Sequence, residues 1–431
     1  MKLNNRAFEN RPPQLRILLL VAVSATLSVL PFAVAEGSTT LTLDAAERLL
    51  SQTPSLAAYQ QKILALRHQA IAAAQLPDPH LSLGAVNLPT NNFSMNQQQM
   101  SMLSVGLSQT FPPFGQLALR SRQFRMEARA ASASKAERLA ELRWLLQQSW
   151  IQAQVGHNEI RILVRQEQLA GLTEQAAMAA YRAGRIEEAE VLRARLERIA
   201  LANEKDRIRS EQTGAEARIT ELLGLSAPPR LEWQWPHASP PPALSLLVAR
   251  ISGQPTLQAA AASERAAQVA VRVANRSLLP SITVSTSYGQ DFMPGSPNWL
   301  SVGVNLSLPI FPANRQDQTI AAAQEQRMAA ADDYDEQRLR IARELRSAYA
   351  QYQAAAAEYE RDQQDLRPLA KQTYAAELAD FRSGRGQLQS VLRAQNTVLA
   401  TALNTLAARR DRALAIAQLD FLATQYRGVQ P

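Results

Sequence analysis

The chain has 431 residues, no cysteine, and 46 Lys and Arg against 38 Asp and Glu, for a formal charge of +8. Without cysteine it has no disulfide framework and no lipid anchor on a cysteine at a processing site. Nor does the basic excess indicate nucleic-acid binding: the first 35 residues supply +3 of it, and the remainder alternates with acidic residues, as at Arg338, Arg340, Arg343, Glu344 and Arg346, the pattern of solvated helix faces.

Residues 1–35 read as a secretory signal peptide. Lys2, Arg6, Arg11 and Arg16 precede an apolar run from Ile17 to Leu30, and Ala33-Val34-Ala35 forms an A-x-A cleavage site before Glu36. No later stretch approaches the roughly 20 apolar residues of a spanning helix. A membrane attachment of the mature chain is therefore expected to come from its fold.

The remainder divides into two copies of one unit, residues 36–224 and 244–431, joined by the proline-rich segment 225–243. LSVGL at Leu103–Leu107 returns as LSVGV at Leu300–Val304, and YRAGR at Tyr181–Arg185 returns as FRSGR at Phe381–Arg385. VLRA at Val191–Ala194 is repeated unchanged at Val391–Ala394, and Pro79 with HLSL pairs with Pro280 and SITV. The offset stays between 197 and 201 residues throughout.

In chain order, a helix over 55–76 leads to a strand hairpin within 79–110, in which Leu81, Leu83, Ala85, Leu103, Val105 and Leu107 share one face. Ser82, Gly84, Ser104, Gly106 and Ser108 take the other, and a long polar loop, 88–99, joins the strands. Ala-, Leu-, Arg- and Glu-rich sequence then predicts a helix to about Arg182, roughly 100 Å at 1.5 Å per residue. Gly184 turns it, and a return helix from about Glu187 to Leu223 precedes the prolines.

The second copy resumes with a helix from about Pro255 to Leu278 and a hairpin within 280–309, with its loop at 289–298. Ile282, Val284, Thr286 and Tyr288 line up with Leu300, Val302, Val304, Leu306 and Leu308 on its apolar face. A helical stretch from Ala313 to Arg382 follows, with Pro368 expected to kink or divide it, and a return helix over 387–424. Trp299 and Tyr288 are expected in an aromatic girdle, and Trp233 with Trp235 in packing below the strands.

Four strands enclose no space, and open sheet edges in lipid leave backbone groups unpaired at several kcal/mol each. Two subunits would give eight strands and a barrel filled by side chains, whereas three give twelve and a lumen, which suits inner faces of Ser, Gly and Thr. The expected fold is thus a mixed α+β membrane protein: four strands per chain in a trimeric 12-stranded β-barrel, continuous with a long α-helical barrel.

The duplication, the QLPDPHLSL run into the first strand, the proline closing the second, and a turn glycine followed seven residues later by Val-Leu in both copies resemble the TolC-like outer-membrane efflux family over nearly all of the mature chain. The segment NLPTNNFSMNQQQMSMLSVGLSQTFPPFGQ is similar to the branch serving heavy-metal cation exporters, which usually has a lysine where this chain has Gln116. The resemblance implies a homotrimer in the outer membrane of a Gram-negative bacterium, its helices extending into the periplasm. It also implies a passive exit duct, docked to a periplasmic adaptor and an inner-membrane pump, with metal cations as substrate. A drug duct of the same fold and a periplasmic coiled-coil protein stand as alternatives.

It further implies that the turns, with Gly184, Arg185, Gly384 and Arg385, form the periplasmic tip and contact the adaptor. Acidic residues near such turns ring the closed end in the family. Here that gives a gate of Glu187, Glu188, Glu190 and Arg193, with Ser390 and Arg393 at the second-copy positions of Glu190 and Arg193. Met95, Met100, Met102 and His80 have no convincing ligand spacing, so no metal site and no cofactor are expected. His68, His157 and His237 are scattered, and neither a P-loop nor a hydrolase or dinucleotide motif occurs, so no enzyme is indicated.

Overall fold

A computed structural model describes residues 40–236 and 239–423. The signal-peptide reading, His237 and the last eight residues lie outside them. Nine α-helices and four strands run through the described residues: α1 Leu43–Leu49, α2 Pro54–Ala72, β1 His80–Val86, β2 Met102–Phe111, α3 Gln116–Arg182, α4 Glu188–Leu223, α5 Leu244–Ala249, α6 Pro255–Asn275, β3 Ser281–Asp291, β4 Trp299–Ser307, α7 Gln316–Arg361, α8 Arg367–Arg382 and α9 Leu388–Ala423. Among these residues no helix is long and apolar enough to cross a membrane.

The strands form one antiparallel sheet in the order β1-β2-β3-β4. Its register extends each hairpin's apolar face across all four strands: Leu83 faces Val105, Val105 faces Tyr288, and Tyr288 faces Leu300. On the opposite side Ser82, Gly106, Ser287 and Ser301 form one cross-strand row. A single phase of alternation therefore serves both copies. The strands have 7, 10, 11 and 9 residues, so β1 falls short of the ten expected.

The register corrects one sequence expectation. Trp299 pairs with Gly289, which stands with Ser104 and Gly84, so Trp299 lies on the small polar face. Period-two alternation from Leu300 requires it. Tyr288 does lie on the apolar face.

Helix α3 runs 67 residues without a break. Buried Ala128, Ala131, Ala153, Ala170 and Ala177 let neighbouring helices approach closely along it. In the second copy the same path is divided: α7 ends at Arg361, Asp362–Leu366 form a π-turn, and α8 starts again with Pro368 in its first turn. Pro368 has no N–H for the carbonyl of Gln364, and its ring crowds that carbonyl. The wider turn around Gln364 absorbs both.

Two apolar cores repeat each other. In the first, Ala46, Leu50 and Leu56 pack with Leu142 and Leu146 of α3 and with Ile219 and Leu222 of α4. In the second, Leu247, Ile251 and Leu257 pack with Ile341 and Leu345 of α7 and with Leu419 and Leu422 of α9. Each pair of counterparts lies 199 to 201 residues apart. The start of the proline-rich segment, residues 225–236, is also tied down: Leu41 N–H donates to the Arg230 carbonyl at 2.7 Å, and Glu232 N–H donates to the Leu41 carbonyl at 2.9 Å.

Candidate functional site

The turn between α3 and α4 is closed by the chain itself. Arg185 N–H donates to the Ala180 carbonyl at 2.9 Å, and Gly184 N–H to Tyr181 at 2.8 Å, the paired bonds of a Schellman cap. The turn between α8 and α9 repeats them, with Arg385 to Asp380 at 3.0 Å and Gly384 to Phe381 at 3.1 Å. Gly184 and Gly384 have φ of 68° and 76°, left-handed values at which a Cβ would be strained. The two arginines that follow are exposed, and Arg385 Nη2 reaches Asp380 Oδ1 at 3.6 Å.

Apolar contact brings the two turns together. Ala177, Val191 and Ala194 from the first copy are buried with Leu388 from the second, and Ile186, Phe381 and Leu392 pack against them. Around this knot the expected gate residues take different surroundings. Glu187 and Glu188 are exposed at the start of α4, whereas Glu190 is half-buried and bonds Arg193 one turn on, Oε1 to Nη1 2.6 Å. Its other oxygen is buried without a partner. Ser390 is half-buried and Arg393 exposed at the equivalent positions of α9.

Further from the tip, α3 and α4 are joined by charge pairs, Arg198 Nε to Glu174 at 2.6 Å and Lys205 Nζ to Glu167 at 2.5 Å. His157 of α3 stacks on Trp233, centroids 4.2 Å apart and planes 7° from parallel. Burial, with Arg161 beside it, holds this imidazole below its ordinary value, and burial raises the neighbouring Glu159 carboxyl.

At the strand end, Met102 lies across Gly289 on the small polar face, and Met100 has a φ of 72°. Met100 N–H donates to Asp291 Oδ2 at 3.1 Å, linking the first loop to β3. Among the described residues no three of His, Asp and Glu converge in a way that could hold a metal ion. At the other end of the sheet Phe114 and Phe311 are 93% and 86% exposed. Sequence reading gave them no role. Their positions just past the prolines that close β2 and β4 were the signal available.

Residues 246–424 match the family described as outer membrane efflux protein. The cobalt-zinc-cadmium resistance protein CzcC of Cupriavidus metallidurans is 28% identical over 282 residues, covering 63% of this chain and 67% of that one. Among solved structures, CusC superposes with a TM-score of 0.74 at 17% identity over 88% of this chain and 91% of that one. The outer-membrane protein VceC of Vibrio cholerae gives 0.73 at 15%, over 88% and 96%. Residues 246–424 thus carry an outer membrane efflux protein domain, and the described residues have the fold of these outer-membrane channels.

Proposed function

We propose that this protein is the exit duct of a tripartite efflux system: a homotrimer in the outer membrane of a Gram-negative bacterium, with its helices in the periplasm. The observation that carries this reading is the sheet. It has one continuous apolar face, one face mostly of Ser, Gly and Thr, and two edges, β1 and β4, with no strand partner among the described residues. Three copies joined edge to edge give twelve strands, apolar side toward lipid and small polar side toward a lumen. Tyr288, Phe114 and Phe311 then serve as aromatic contacts at the membrane boundary.

The helical turns are the docking end. Gly184, Arg185, Gly384 and Arg385 meet a periplasmic adaptor that couples the duct to an inner-membrane pump. Glu187, Glu188, Glu190, Arg193, Ser390 and Arg393 form the gate, where three copies of each carboxylate in a constriction favour cations and hold the end closed through ion pairs. The duct itself consumes no energy and needs no cofactor, and without cysteine it is held in the membrane by its strands alone.

The substrate reading is divalent metal cations. The relative named for cobalt, zinc and cadmium resistance supports it, as does the strand loop with Met95 and Met100. Deleting the gene should raise cellular accumulation of these ions, and the intact gene should restore export only when its pump is present. Normal accumulation of all three would reject the metal reading. Drug sensitivity in the same strain would then place the duct with small organic substrates.

A further inference from the structure

Away from strands and tip, three helices converge on a basic cavity of about 350 Å³. Arg161 and Arg165, one turn apart on α3, line it together with Arg409 of α9 and with Tyr359, Gln363 and Arg367 from the break between α7 and α8. No carboxylate lines it. Among the described residues none of the four guanidiniums forms an ion pair, although ion pairs form elsewhere on the helices around the cavity.

Two of the four arginines are held in place. Gln363 accepts a bond from Arg367 Nη1 at 3.1 Å and donates to Tyr359 Oη at 3.3 Å. Arg409 stacks 4.3 Å over Trp235, and Arg412 lies 5.8 Å over Tyr359 with its Nε buried and unpartnered. Stacking orients a guanidinium and leaves its charge unmet. Four like charges from three helices around one hollow repel each other, and an anion seated among them removes that cost.

We propose that this cavity is a binding site for a multivalent oxyanion of the phosphate class. Planar guanidinium forks match phosphate oxygens, and four of them arriving from different helices suit a group with several acceptors on different sides. The bound group would tie α3 of the first copy to α8 and α9 of the second, across the π-turn that separates α7 from α8. This site does not depend on the duct reading, since it is built within one chain.

The test uses the full-length protein in detergent. Pyrophosphate is titrated calorimetrically, with sodium chloride at matched ionic strength as reference, and a short-chain phosphatidic acid is titrated in parallel. Saturable binding of either ligand is expected, with a rise in Tm, and the ligand that saturates identifies a free or a lipid-borne phosphate as the source. The pair Arg165→Gln with Arg367→Gln should weaken binding at least about tenfold per arginine removed. Arg218→Gln, an exposed arginine elsewhere, should not. Unliganded Tm of the double variant reports whether it folds, and removing like charges should leave it unchanged or raise it. Absence of saturable binding, or binding equal in the folded double variant, would overturn the proposal.

Discussion

Glu190 holds Arg193 of its own helix, Oε1 to Nη1 2.6 Å, while in the second copy the position of Glu190 is occupied by Ser390, one turn before Arg393. The repeat is thus acidic on one side only, and a threefold assembly would carry three such carboxylates rather than six. The pair is partly exposed, so its contribution to stability is about 0.5 kcal/mol or less. Glu190→Gln should leave the Tm nearly unchanged and raise single-channel conductance in planar bilayers. Unaltered conductance would make Glu190 an ordinary helix charge.

The two turn glycines predict a loss that a side-chain contact would not. Nothing lies within 4 Å of a Cβ built at Gly184 or Gly384, so Gly→Ala there meets no clash, only the left-handed backbone. The cost is about 1 kcal/mol at each turn. It should appear as faster hydrogen exchange in Ala177–Ala194 and Phe381–Ala394 and as weaker adaptor binding, with Gly→Asn milder than Gly→Ala. Equal exchange in all variants would contradict this.

Trimer closure has a predicted register. Within the chain, Thr110 of β2 faces Thr283 of β3. Carrying both partners through the internal repeat, by +197 and −201 residues, places Ser307 of β4 opposite Ser82 of the next subunit's β1, on the small polar face. The chain has no cysteine, so Ser307→Cys with Ser82→Cys gives a clean oxidative cross-link. Disulfide-linked dimers and trimers on denaturing gels are expected, whereas Ser307→Cys with Leu83→Cys should remain monomeric. The reverse yields would mean a one-residue slip.

Stability should follow the charge on His157. Its folded value lies below the ordinary imidazole value of about 6.5, so the unfolded chain takes up the proton first as pH falls. The wild type therefore loses stability as pH drops from about 6.5 toward the folded value, and is insensitive to this group above it. His157→Gln should flatten that part of a Tm profile taken between pH 7.5 and 5.5. Glu159, shifted upward, acts in the opposite sense in both proteins and cancels in their difference. Parallel profiles would exclude His157 as the cause.

The sheet was readable because strict alternation identifies faces without knowing partners, and the repeat supplied the second hairpin from the first. The long helices followed from composition, whereas α2 ends at Ala72, four residues short of the expected 76, ahead of Pro77. Short elements escaped. Helices α1 and α5 have seven and six residues, fewer than two turns, and α5 follows four prolines within 236–242. The 201-residue spacing of Ala46 and Leu247 relates them, and that becomes visible once both are buried in equivalent cores. Trp299 was misplaced for another reason: residue type suggested a girdle, while parity with Leu300 decided the face. The arginine cavity draws on residues more than 240 positions apart, which no local pattern connects.

The most direct test of the duct is the mass and outline of the detergent-purified protein, by light scattering and negative-stain microscopy. The account predicts a trimer with an elongated stem of roughly 100 Å below a detergent-covered barrel. A monomer that stays soluble without detergent would contradict it.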